Sequence, residues 1–277
     1  MAMKLQDALW LSNKLAADLT AHRGKWQNYL LTAARIYKYS FPEQLMIYGQ
    51  RPNATACAEI KLWNDRMGRR VIRGTCGIAL IDRSLRKPHV RYVFDVADTY
   101  CAHGLSSRSP RPWRIRPEEY EAVSAALEST FQSPEINGLS FDAKLIKISE
   151  LAVKERLPDY LAQLQEVKAD SLLEELDDLN LSVRLRRLME NSVAYTVLTR
   201  CGFEADLYYD DVDFEYIFDF STPAVISVLG RATSDISRVL LLELGRLADS
   251  AAHEKAKRPA ARTDSLKTIH APVKLAA

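Results

Sequence analysis

The chain has 277 residues, enough to bury a substantial core as one large domain or two modest ones. With 47% hydrophobic and 27% charged residues its composition is that of a globular protein, which excludes a disordered or fibrous chain. The formal net charge of +2 hides an asymmetry: residues 22–116 carry 18 Lys and Arg against 6 acids, a net +12, whereas residues 117–220 carry 9 against 23, a net −14.

In chain order, Leu5, Ala8, Leu9, Leu11, Leu15, Ala16 and Leu19 recur at three- and four-residue spacings and predict helix from Leu5 to Tyr37. Gly24 breaks the run before Trp26, Tyr29, Leu30, Ala33 and Ile36 resume it. Pro42 permits a short helix over Glu43–Gly49, and Thr55–Met67 reads as another, ending at Gly68. Arg69–Ile81 then reads as a strand, a glycine turn and a second strand, and the alternation in His89–Asp95 suggests a third. Residues 101–117, with glycine, serine, arginine and three prolines, form a connector. Beyond it the periodicity predicts helices over Glu118–Phe131, Phe141–Arg156, Pro158–Val167, Ser171–Leu179, Val183–Arg200, Pro223–Leu229 and Thr233–Lys255. The acidic Asp210–Phe220 reads as a turn and short helix. The expected fold class is α+β: amino-terminal helices with a small antiparallel sheet, then a mostly α-helical second half. The expected domains are 1–100 (basic), the connector 101–117, 118–257 (acidic and helical) and a flexible tail over 258–277.

Oppositely charged halves imply a polyanion site on one half, or docking of the two on each other. The four cysteines, Cys57, Cys76, Cys101 and Cys201, contain no CxxC pair, which speaks against a zinc ribbon or disulfide framework and fits a reducing compartment. The amphipathic start carries Lys4, Asp7 and Lys14 and lacks the apolar run of a signal peptide. No later stretch approaches the roughly 18 apolar residues of a membrane span. A soluble, cytoplasmic protein that engages no membrane is expected.

One ordered series of short motifs stands out. It begins with Tyr39-Ser40-Phe41-Pro42-Glu43-Gln44-Leu45-Met46-Ile47-Tyr48-Gly49-Gln50-Arg51-Pro52 and passes through Ala54-Thr55-Ala56 and Trp63. Gly68-Arg69-Arg70-Val71-Ile72-Arg73-Gly74 and Gly77-Ile78-Ala79-Leu80 follow, and Tyr92-Val93-Phe94-Asp95-Val96-Ala97-Asp98-Thr99 closes it. This series resembles the amino-terminal domain of ArdC-type antirestriction proteins. It is closer still to the front segments of very large helicase- or methylase-like proteins of conjugative elements. Ser192-Val193-Ala194-Tyr195, Arg200-Cys201-Gly202 and Leu229-Gly230-Arg231-Ala232-Thr233-Ser234-Asp235 look like the following region of the same proteins, so the likeness covers most of residues 20–245. It implies single-stranded DNA binding by the amino-terminal domain of a mobile-element protein.

The residues point the same way by themselves. Single strands need cations along the backbone and aromatic faces for unpaired bases. Here Tyr37, Tyr39 and Tyr48 are interleaved with Lys38, Arg51, Arg69, Arg70 and Arg73, so Arg51, Arg69, Arg70 and Arg73 are expected on phosphates and the tyrosines under bases. Trp26, Tyr29 and Trp63 sit on apolar stripes and read as core. Complete ArdC-type proteins add a metalloprotease-like domain with HExxH, but His253-Glu254 is followed by Lys255, Ala256 and Lys257, so the second histidine is missing. GxxxxGK[ST] and GxSxG are also missing. The expectation is therefore a non-catalytic protein without cofactor or metal that shields or handles transferred DNA. The alternative is a protein inhibitor or adaptor that binds a restriction or CRISPR nuclease directly through its acidic helical half.

Overall fold

The computed structural model describes residues 3–84, 86–101, 110 and 113–257, with side chains described as far as residue 253. The expected flexible tail over 258–277 and most of the 101–117 connector lie outside the described residues.

The fold is α+β. Helices α1 (Leu5–Asp18), α2 (Lys25–Arg35) and α3 (Phe41–Gln50) come first, with Gly24 at φ +75° separating α1 from α2. Strand β1 (Cys57–Ala58) and the one-and-a-half-turn α4 (Ile60–Asp65) replace the expected helix over Thr55–Met67. The cause is tertiary: Asp95 accepts from the Thr55 and Ala56 amides and holds that segment extended. Strands β3 (Ile78–Asp82) and β4 (His89–Asp95) pair antiparallel, and β1 adds to the far edge of β4, giving the order β1-β4-β3.

Strand β2 (Arg69–Val71) departs from the expected hairpin. It does not pair with β3; its partner is β5 (Thr99–Cys101), in a separate two-stranded ribbon. Pleat alternation then divides the larger sheet. Ile78, Leu80 and Val93 pack on Ala8, Met46 and Ile47 of α1 and α3, whereas Phe94 and Tyr92 face Trp63 of α4 and Val71.

The second half contains α5 (Tyr120–Phe131), α6 (Phe141–Val167), α7 (Asp178–Cys201) and α8 (Pro223–Lys257). Two expected breaks are not breaks. Helix α6 runs through Pro158, which is exposed, so the carbonyl that the ring strands faces water. Helix α8 runs through Gly230, where the missing side chain admits the ring of Phe41; a Cβ there would lie 2.2 Å from it. The expected helix over Ser171–Leu179 is a run of turns that gives way to α7 at Asp178.

One hydrophobic core crosses the expected boundary between 1–100 and 118–257. Leu19, Trp26, Tyr29, Leu30, Phe41 and Leu45 belong to the same buried cluster as Leu145, Leu188, Val193 and Leu241. Inside it the Trp26 indole donates to Ser192 Oγ at 2.8 Å. The small sheet is thus attached to a helical body to which both halves of the sequence contribute. No helix among the described residues is long and apolar enough to cross a membrane.

Candidate nucleic-acid interface

The eight residues expected at the interface separate into two groups. Tyr37 is 5% exposed: its hydroxyl accepts from the Trp113 indole at 3.1 Å, and the two rings meet edge to face. Tyr39 packs against the α1–α3–sheet cluster and donates to the Cys57 carbonyl at 2.7 Å. Burial pushes its hydroxyl far above the usual phenol range. Tyr48 is half-buried and packs edge-on against Tyr29. The Tyr37 and Tyr39 hydroxyls are thus hydrogen bonded within the protein and the Tyr48 ring is partly covered by Tyr29, so these three rings are less open to a base than the sequence suggests.

Two arginines are likewise structural. Arg51 donates from Nη1 to Asp98 at 2.7 Å, and Asp98 is nearly buried. Arg69 donates from Nε to Thr99 Oγ1 at 2.7 Å and from Nη2 to the Thr99 carbonyl at 2.8 Å, clamping β2 to β5. Two further cations of the +12 stretch are consumed in the same way. Arg35 donates to the Pro52 and Ala54 carbonyls, and Arg91 is held by Glu43 and Glu59. Arg91 lines a cleft of about 730 Å³ between α1, the start of α3, the β3–β4 turn and α8. Glu43, Glu59 and Asp82 line it too, so its charges largely cancel.

Arg70, Arg73 and Lys38 remain exposed. In the β2–β5 register Arg69 lies opposite Cys101, Arg70 opposite Tyr100 and Val71 opposite Thr99. Val71 packs beneath against Trp63 and Phe94, so the alternate residues Arg70 and Tyr100 share the outer face as a direct cross-strand pair. Tyr100 is 51% exposed. The turn that follows closes with the Thr75 amide on the Ile72 carbonyl, and Gly74 at φ +89° supplies the left-handed residue of a type II turn. That geometry sets Arg73 at the tip beside the exposed Ile72. Helix α4, with exposed Lys61 and followed by exposed Arg66, packs alongside β2.

A guanidinium, an open phenol face and a second guanidinium within one ribbon can neutralise phosphates and stack a base. Tyr100 was missed by sequence reasoning. Its only signal is position, immediately after the Asp98-Thr99 end of the motif series, and its partner strand lies 30 residues upstream in sequence. Nucleophilic chemistry finds little support in the two sheltered cysteines, since burial pushes the Cys57 and Cys201 thiols up to about 12. Among the described residues no cluster of three or more His, Cys, Asp or Glu is placed to hold a metal ion. No family model, curated protein or solved structure matches this chain.

Proposed function

We propose that this chain is a non-catalytic, single-stranded nucleic-acid-binding accessory protein of the antirestriction type, and that its contact surface is the β2–β5 ribbon. The observation that carries the reading is the exposed cross-strand pair Arg70–Tyr100 with Arg73 at the adjoining turn. Arg70 and Arg73 take phosphates, and Tyr100 stacks on a base. Shielding is by occupancy: a strand held on the ribbon is denied to nucleases.

Fluorescence anisotropy with a labelled single strand tests this. Affinity should fall with salt at a log–log slope of about −0.7 per neutralised phosphate. Tyr100→Ala should weaken binding by about 1–3 kcal/mol, roughly five- to 150-fold, with stability nearly unchanged. A double Arg70→Glu/Arg73→Glu variant should abolish binding. No affinity at low salt removes the function; undiminished affinity in the double variant removes the ribbon as its seat. Parallel DNA and RNA strands decide which polymer is preferred, since stacking and phosphate contacts alone do not read the 2′-hydroxyl.

A second reading is favoured by the opposite end of the charge distribution. Leu207 and Val212 are 78% and 59% exposed, in the segment that also carries Asp206, Asp210 and Asp211. Exposed apolar side chains in an acidic segment suit a basic protein partner such as a nuclease's DNA groove. Co-purification with candidate nucleases after removal of nucleic acid separates this reading from the first.

A further inference from the structure

Arg200 stands in the last turn of α7, where backbone carbonyls commonly receive a cation. Here two of them are taken by backbone: the Gly202 amide donates to the Thr199 carbonyl and the Phe203 amide to that of Leu198. The guanidinium instead lies 4.2 Å from the Trp113 ring centroid and 5.7 Å from that of Tyr37. Its Nε is buried without a hydrogen-bond partner, and among the described residues no carboxylate pairs with it. Burial lowers its pKa, the mark of a cation held out of water without a counter-ion.

The neighbouring charges add to this one. Lys38, which is exposed, places Nζ 5.8 Å from the Tyr37 ring, and the charge of Arg114, which is exposed and follows Trp113 in sequence, further disfavours the charge on Arg200. A half-buried guanidinium with no carboxylate partner among the described residues is unfavourable, and aromatic rings offset only part of that. The Arg200 Nη groups carry in-plane N–H donors of the kind that suit a bidentate oxyanion. Arg200 and Trp113 are both partly exposed, so such a ligand has access from solvent.

We propose that Arg200 and Lys38, 5.7 and 5.8 Å from the Tyr37 ring centroid, with Trp113 against Arg200 and Arg114 next to Trp113 in sequence, form a binding site for a phosphate-class oxyanion, distinct from the β2–β5 ribbon. The phosphate belongs either to a small phosphorylated molecule or to the end of a polynucleotide.

The full chain is titrated with inorganic pyrophosphate and followed by thermal unfolding, and with oligonucleotides bearing a 5′-phosphate or a 5′-hydroxyl. A free-phosphate site gives a saturable rise in Tm. A strand-end site gives a preference for the 5′-phosphorylated oligonucleotide. In either case Arg200→Gln and the surface variant Lys38→Gln should weaken the response about tenfold or more, the loss of a charge-assisted hydrogen bond. Lys38→Gln guards against misfolding, because Lys38 is exposed. The Arg70→Glu/Arg73→Glu variant should keep the pyrophosphate response, so this site and the ribbon fail independently. The proposal is overturned if wild type shows neither response, or if Arg200→Gln and Lys38→Gln respond like wild type.

Discussion

Arg51 donates to a carboxylate that is almost fully inside the protein, that of Asp98, and Asp98 in turn closes the turn that begins at Asp95. Removing the guanidinium takes the ion-pair partner from a nearly buried carboxylate and leaves it only the long 3.3 Å hydrogen bond from the Asp95 amide. Arg51→Ala should therefore lower stability by about 1–3 kcal/mol, read as a reduced urea midpoint at unchanged slope. Folded Arg51→Ala should bind single strands as wild type does, because Arg51 is not on the ribbon. A loss of affinity without a loss of stability would show that Arg51 contacts the ligand after all. The same logic separates the tyrosines. Tyr37 is buried beside Trp113 and supports the fold, whereas Tyr100 has an open face and little to stabilise.

At the scale of elements, close approach and ion pairing fix how helices meet. Helix α8 can pass Phe41 only because residue 230 has no side chain, so Gly230→Ala forces a contact at 2.2 Å against an aromatic ring. The expected destabilisation is about 1–3 kcal/mol, measured as a lowered Tm, and Phe41→Leu in the same chain should recover part of it. Helices α5 and α6 are joined by Lys144, which is nearly buried and holds Glu128 at 2.6 Å. The Lys144 hydrogen bond keeps the Glu128 carboxyl below its ordinary value in the folded state. Its contribution is thus complete above the unfolded value of about 4.3 and is lost as pH falls through the lower folded value. Urea midpoints followed from about pH 6 down to pH 3 should drop, and the Glu128→Gln variant should show a shallower fall.

Over the whole molecule, the shared core argues for one cooperative unit. Trp26 of α2 and Ser192 of α7 are hydrogen bonded inside it, and Phe41 of α3 nests on α8. Near-ultraviolet circular dichroism and calorimetry should report a single coincident transition. A fragment comprising 118–257 should fail to fold, because it exposes the faces that Leu19, Trp26, Tyr29 and Leu30 cover. Two separated transitions, or a stable 118–257 fragment, would restore the two-domain division suggested by charge. Charge marks surface, and surface need not follow the boundaries of a core.

Much of the secondary structure was legible from the amino acids because it depends on near neighbours. The helical stripes of α1, α2 and α5, the glycine stops at Gly24 and Gly202, and the alternation of β4 all follow from spacing within a few residues. The α+β class followed from their order. The candidate interface was only half legible, because alternating cations and aromatics do not reveal which ring finds a partner first. Arg51 met Asp98, Arg69 met Thr99 and Tyr37 met Trp113, all across 30 or more residues. Pairing of β2 with β5 rather than β3 then turned Arg70 and Tyr100 outward together. Those outcomes depend on long-range contacts, and only the folded chain decides which polar groups are satisfied internally and which are left for a ligand.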